Sequence, residues 1–257
     1  MDQARAKPEP GPSLHRLCVN HPLAPGETIP LDAGQANYLL NVLRLQGGAP
    51  LLVFNGRDGE FLASLTATSR RAAGLTIAAR QRVQPAPSGL VYAFAPLKHA
   101  RLDYMVQKAV EMGAGTLAPI VTRRTQVSRV NIERMRANAI EAAEQCGILC
   151  LPEIREACPL EAFLAAWPAT APLVFCDEDA TVNDPVAALR HMNPPPTGAV
   201  AVLVGPEGGF DPSEREILSR RPNVVRLSLG FRVLRADTAA VAALAIVQAV
   251  IGDWRTS

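Results

Sequence analysis

From about residue 90 onward the sequence alternates short apolar runs with amphipathic stretches, and this alternation narrows the folds open to it. The apolar runs are VYAFA (91–95), TLAPIVT (116–122), PLVFC (172–176) and AVAVLV (199–204). Between them stand KHARLDYMVQKAVEMG (98–113), a stretch from about Asn131 to Gln145, EAFLAAW (161–167) and DPVAALRHM (184–192). Strands separated by helices in this way imply a largely parallel sheet covered by helices, an α/β fold. In the first of the helices Leu102, Met105, Val106, Ala109 and Val110 recur at helical spacing and form its core face. Lys98, Arg101 and Lys108 fall outside that face and read as solvated or near the sheet edge.

Two further strands run into loops and then helices. AVAVLV feeds GPEGGF and then DPSEREILSR, where Asp211 suits an N-cap, Pro212 the first turn and Glu214 the capping-box position. VVRLSL (224–229) leads through GFRVLRAD into an apolar helix beginning near Thr238. That helix, TAAVAALAIVQAVI, carries no charge on any face, so it is buried in the domain or against another subunit. It is too short to cross a bilayer, which takes about 20 residues.

The first part of the chain is patterned differently. Leu14 to Arg82 reads as short strands and turns, a small and mainly β domain. Leu51–Phe54 and Glu60–Leu65 flank an Asn-Gly-Arg-Asp-Gly turn, a hairpin signal. The helical stretch ANYLLNVLRL precedes it and is expected to end at Gly47-Gly48. QPAPSG (84–89) favours an extended linker. The expected organisation is therefore a disordered tail over 1–13, one domain over 14–84 and a second over 85–257. The tail, MDQARAKPEPGPS, lacks the apolar core of a signal peptide.

A chain of 257 residues with 48% hydrophobic content can bury two ordinary cores. Net charge is only +2, yet it is +3 over 1–85, +5 over 98–136 and −6 over 137–257. Clustered Lys and Arg in the first half suit a polyanionic partner. The five cysteines form no CxxC pair and the histidines show no ligand spacing beside them. This reads as reduced cytosolic thiols with neither a disulfide framework nor a metal site.

The loop chemistry narrows the ligand. A phosphate-binding P-loop needs a lysine and then Ser or Thr after its glycines, and LVGPEGGF (203–210) has neither. Glu207 repels phosphate, and the dinucleotide glycine spacing is absent. A carboxylate among open backbone groups suits hydroxyls, amine donors or positive charge, and S-adenosylmethionine offers all three. LSLGFRVLRADTA (227–239) is a second loop of the same kind, and open α/β sheets place ligands at such carboxyl-end loops.

LVGPEGGF followed by LSLGFRVLRADTAAVAAL resembles the end of the SPOUT-class methyltransferases. More narrowly, it resembles the bacterial enzymes that methylate N3 of a uridine in small-subunit (16S) ribosomal RNA. KHARLDYMVQKAVEMG, TLAPIVTRRTQV and EAAEQCG are similar to the same family, and NYLLNVLRLQGG with FNGRDGEFLASL to its PUA-like RNA-binding domain.

The resemblance implies a C-terminal trefoil-knotted SPOUT methyltransferase domain behind an N-terminal PUA-like β-barrel. It implies S-adenosylmethionine as methyl donor without a metal, a homodimer, 16S ribosomal RNA or the small subunit as partner, a cytoplasmic location and no membrane. Residue by residue, it places Leu203, Gly205, Glu207 and Gly208 on one wall of the donor pocket. Leu227, Leu229, Gly230, Val233 and Leu234 form the other wall, with Arg235, Asp237 and Thr238 at the reacting end. The family commonly has proline at Phe231, glutamate at Asp237, histidine at Asn37 and arginine at Ile148, so these are departures.

Uridine N3 carries a proton and is a poor nucleophile until it is lost, so the reaction needs a base or a cation that stabilises the uridylate. Asp237 is the candidate base and Arg235 the candidate cation. Asp237 also stands where an N-cap is expected. Arg123 and Arg124 extend the basic region of Lys98 toward phosphate, and Arg44 and Arg57 are the basic residues in the motifs of the first domain.

Overall fold

The turn at residues 55–59 closes the expected hairpin. Asn55 Oδ1 accepts from the N–H groups of Arg57 and Asp58 at 3.1 and 2.9 Å, while Asp58 accepts from Leu23 N at 3.0 Å. Gly59 has φ +98°, and a Cβ there would collide with the Arg82 carbonyl, so neither feature leaves room for another residue type. The molecule, described by a computed structural model, is defined over residues 14–69, 72–127, 129–181, 184–192 and 198–255. The tail expected over 1–13 lies outside the described residues.

The chain groups into two compact units. Among the described residues, one comprises Pro87–Ala142 and Pro152 onward, the other those up to Ala86 together with Ala143–Leu151. In the latter, β1 (Arg16–Cys18), β2 (Thr28–Pro30), β3 (Pro50–Phe54), β4 (Glu60–Ser69) and β5 (Ala72–Arg82) form a five-stranded sheet in the order β1-β3-β4-β5-β2. Alternate residues Leu51, Val53, Phe61, Ala63, Leu65, Leu75 and Ile77 fill its core, with Leu39 beneath. Glu60 is buried between two arginines: Arg16 Nε donates to it at 3.0 Å, and Arg82 Nε and Nη2 at 2.8 Å. Arg82 Nη2 also donates to Gly147 O at 2.9 Å, and Cys18 N to Glu144 at 2.8 Å. These bonds tie residues 143–151 to this unit.

The helical stretch of this unit differs from its expectation. Helix α1 (Ala33–Asn37) runs into a π-helical turn over Tyr38–Val42 and stops there, before Gly47-Gly48. Arg44 takes φ +56°, and the Leu45 N–H closes onto Leu39 O at 2.9 Å. An arginine thus occupies the left-handed stop that glycine usually fills.

In the larger unit the alternation becomes β6 (Leu90–Phe94), α2 (His99–Glu111), β7 (Thr116–Val121), α3 (Ile132–Cys146), β8 (Glu153–Ile154), β9 (Cys158–Pro159), α4 (Leu160–Ala166), β10 (Leu173–Cys176), α5 (Pro185–Arg190), β11 (Val200–Val204), α6 (Pro212–Ser219), β12 (Val224–Leu227) and α7 (Ala236–Val250). The strands are parallel, in the order β12-β10-β11-β6-β7-β8, with β9 pairing β7. Strands β6, β10 and β11 are buried on both faces, which is why they read as unbroken apolar runs.

On one face Val91, Ala93, Leu173, Phe175, Ala201 and Leu203 meet Phe163 and Leu164 of α4, Trp167 just after it, and Leu218 of α6. Met105, Val106, Ala109 and Val110 of α2 are buried as expected, but Leu102 is only half-buried. The order matters for function: β11 lies between β6 and β10, and β12 beyond β10. The loops leaving β6, β10, β11 and β12 therefore emerge along one carboxyl edge.

Candidate active site

Loop 205–210, after β11, is shaped by its glycines. At Gly205 a Cβ would stand 2.8 Å from Phe210 Cδ2 and 3.0 Å from its Cζ, and closer still to Cε2. Phe210 is buried and packs edge-on against Phe175 with centroids 4.9 Å apart. Gly209 has φ +67°, and a Cβ there would collide with Glu178. Glu178 itself is held by Arg215 of α6, which also pairs with Asp177 at 3.5 Å and with Asp179. Arg226 of β12 clamps the buried Asp177 from the other side at 2.8 and 2.6 Å.

The capping box expected at α6 is formed. Glu214 Oε2 accepts from Asp211 N at 2.9 Å, and Asp211 Oδ1 from Ser213 N at 3.1 Å. Glu214 is almost fully buried, and its other oxygen accepts from the Arg123 N–H at 2.8 Å. The arginine loop after β7 is thereby drawn to the glycine loop. Arg124 Nη1 donates to Gly208 O at 2.9 Å, and the Arg123 and Arg124 guanidinium groups stand 3.7 and 4.0 Å from Asp211. The hydroxyl and amide of Ser213, aided by these cations, hold the Asp211 carboxyl below its ordinary range.

The second loop leaves β12 at Leu227, so the expected strand stops two residues short of Leu229. Leu203 and Leu227, at the ends of β11 and β12 where the two loops begin, are fully buried. Leu229 and Leu234 are half-buried, while Gly230, Arg235 and Thr238 are exposed. Phe231 and Val233 are 88% and 93% exposed, unusual for such side chains. Arg232 lies over the Phe231 ring at 4.4 Å.

Helix α7 begins at Ala236, and Arg235, not Asp237, holds its N-cap position. The N-cap role expected for Asp237 is therefore not its place; it sits inside the first turn. The Arg235 side chain makes no hydrogen bond or ion pair with a described residue.

The two loops meet at Arg101. From the start of α2 its Nε donates to Asp237 Oδ2 at 3.0 Å, and its Nη1 pairs with Glu207. The arginine expected to be solvated is the link between them; its side chain is 33% exposed. A single sequence carries no sign of this, because the pairing spans 106 and 136 residues. Asp237 Oδ1 meanwhile accepts from Thr238 N at 2.8 Å. The Arg101 hydrogen bond, with the help of the Thr238 amide, holds the Asp237 carboxyl below its ordinary range against the opposing effect of burial. Beneath, burial pushes the Tyr92 phenol up, and nearby Cys176 and Asp237 add to the effect.

The other basic residues singled out in the sequence are at the surface. Lys98 is exposed at the start of α2, and Lys108 pairs with Glu111 at 2.7 Å. In the smaller unit Arg44 and Arg57 are exposed. Arg57 lines a groove of about 670 Å³ with Arg80, Leu23, Phe61 and Val83. Of the departures, Asn37 Oδ1 accepts from Asn41 at 2.9 Å and Ile148 is half-buried.

Comparison with known proteins identifies the family. A family model described as an RNA methyltransferase domain matches residues 84–248, and one described as an RNA methyltransferase PUA domain matches residues 31–77. The ribosomal RNA small subunit methyltransferase E of Rickettsia conorii is 32% identical over 91% of this chain and 95% of its own. That of Synechocystis is 31% identical over 87% of this chain and 74% of its own. The Neisseria gonorrhoeae ribosomal RNA small subunit methyltransferase E bound to S-adenosyl methionine superposes with a TM-score of 0.83 at 25% identity, covering 94% of this chain and 99% of its own. A Legionella pneumophila protein in complex with SAM gives 0.78 at 30% identity, over 92% and 97%. This chain belongs to the RNA methyltransferase family that includes the ribosomal RNA small subunit methyltransferases E.

Proposed function

We propose that this protein transfers the methyl group of S-adenosylmethionine to N3 of a uridine in 16S ribosomal RNA. The observation that carries the reading is the meeting of two loops at the carboxyl edge of the sheet. Glu207 and Asp237 are joined there through Arg101, beside an exposed Arg235 that pairs with no described residue. The glycine loop and Leu227–Leu234 are the donor's two walls, with Gly208, Gly230 and Thr238 open to it. Family membership and the donor-bound relatives support this placement.

The chemistry assigned to the walls is methyl transfer in line from sulfonium to N3, so positioning supplies much of the rate. Arg235 is the cation that stabilises the uridylate. Asp237 has two available roles, proton acceptor or anionic anchor. Hydrogen bonds on both its oxygens and a carboxyl held below its ordinary range favour the anchor, since a good general base has a pKa near the working pH. Arg235→Ala is expected to abolish methylation while sparing donor binding. Near-normal turnover of that variant removes Arg235 from the reaction.

The finer architecture follows the same reading. A deep trefoil knot in residues 85–257 is supported by a strand order that inserts β11 between β6 and β10 and returns to β12 at the far edge. A PUA-like barrel over 14–84 is supported by the family model and by the five-stranded sheet. A homodimer is supported by the exposed Phe231 and Val233 and by the half-exposed Val241 and Ile246 on α7. RNA is met by Arg44, Arg57, Lys98, Arg123 and Arg124, with bases against the groove beside Arg57 and Arg80. No described helix is long and apolar enough to cross a membrane, and the proposed substrate places the enzyme in the cytoplasm.

A further inference from the structure

We infer that Arg101 is a positioning residue for the methyl-donor pocket: one guanidinium fixes the distance between the glycine loop and the first turn of α7. The inference rests on the proposal that these two loops are the pocket walls. Three features of the geometry carry it.

First, the two carboxylates it touches, Glu207 on the glycine loop and Asp237 in the first turn of α7, come from separate segments and would repel each other without a shared cation. Glu207 is 51% exposed and sits on a loop with no regular structure, so nothing but the Arg101 pair holds its side chain among the described residues. Second, Arg101 is anchored on a helix whose following turns are buried through Met105, Val106, Ala109 and Val110. The guanidinium is therefore carried by a packed helix, from which it reaches both carboxylates. Third, the contact uses the planar fork: Nε faces Asp237 and Nη1 faces Glu207, leaving Nη2 buried with no hydrogen-bond partner. A lysine is a point charge and cannot address both carboxylates in fixed directions. An arginine that only neutralised charge would not need this orientation.

The consequence is coupling. Perturbing Glu207 is felt at Asp237, and the reverse, because both read their position from one group. The full-length protein is tested by calorimetric titration with S-adenosylmethionine and by steady-state methyl transfer. Arg101→Met is expected to weaken donor binding at least about tenfold and to lower kcat while leaving KM for RNA unchanged. Arg101→Lys is expected to fall between it and the wild type. Glu207→Gln and Asp237→Asn are expected to be non-additive in donor affinity with Arg101 present, and additive in the Arg101→Lys background.

A merely structural arginine would lower thermal stability without removing that coupling. If Arg101→Met does not fold, the cycle in the Arg101→Lys background decides alone. Additivity in both backgrounds, or donor binding by Arg101→Met within twofold of the wild type, overturns the inference. A wild-type protein that binds no donor overturns the pocket assignment instead.

Discussion

Replacing Gly205 by alanine tests whether the glycine loop is held by packing, as its contacts imply. The added Cβ would lie 2.8 Å from Phe210 Cδ2 and 3.0 Å from Cζ, against an optimum of about 3.5–4.0 Å for carbon pairs. Phe210 cannot swing into solvent, because it is 2% exposed and wedged edge-on against Phe175. The ring or the loop must therefore shift by roughly 1 Å in a close-packed region, and overpacking of this kind costs about 1–3 kcal/mol. At about 2–4 °C per kcal/mol for a unit of this size, a cost of about 2 kcal/mol lowers Tm by about 4–8 °C.

Gly208→Ala is the matched control. Its Cβ would sit 3.8 Å from Arg124 carbons, an ordinary contact, so its stability should stay within about 1 kcal/mol of the wild type. Thermal unfolding followed by circular dichroism, with donor titration by calorimetry, reads both effects. Gly205→Ala should lose donor affinity along with stability. Equal stability of the two variants would refute the packing argument.

The arginine loop and the ion pairs give further expectations. Replacing Arg123 and Arg124 together by alanine should weaken RNA binding and reduce the slope of log affinity against log salt by about 2; an unchanged slope removes the phosphate contact. Glu214→Gln turns an acceptor into a donor facing the N–H of either Arg123 or Asp211, so it should cost about 1–3 kcal/mol in denaturant unfolding. Asp237 has a lowered folded pKa, so its contribution to stability is present above the ordinary aspartate value of about 3.9 and is lost as pH falls through the lower folded value. The Tm difference between wild type and Asp237→Asn should therefore be steady from about pH 5 to 8 and close in more acidic solution; a difference that grows with acid contradicts the ion pair.

Much of this molecule is legible in its residues because it rests on local rules. The parallel core strands show as unbroken apolar runs, the α6 start as Asp211-Pro212 with Glu214, and the hairpin as NGRDG. What escapes the sequence is long-range or depends on one bond. Arg101 looks like any polar residue beside a core face, since its partners arrive from far along the chain. The helix near residue 40 stops early because Arg44 takes a left-handed turn that the glycines after it had seemed to supply. Helix α7 starts two residues before Thr238 because Arg235 is the extended residue there, which moves Asp237 from the cap into the first turn. The clamp of Asp177 and Glu178 by Arg215 and Arg226 carries no local pattern at all.

On this reading the two segments joined by Arg101 form the site of methyl transfer to a uridine ring nitrogen. The most direct test incubates the protein and isotopically labelled S-adenosylmethionine with small ribosomal subunits and, separately, with naked 16S RNA. The nucleosides are then separated and identified by mass spectrometry. Labelled 3-methyluridine at a single site, absent with Arg235→Ala, is the expected result. A labelled product on a ribose or on another base, or RNA binding without any labelled nucleoside, would contradict it.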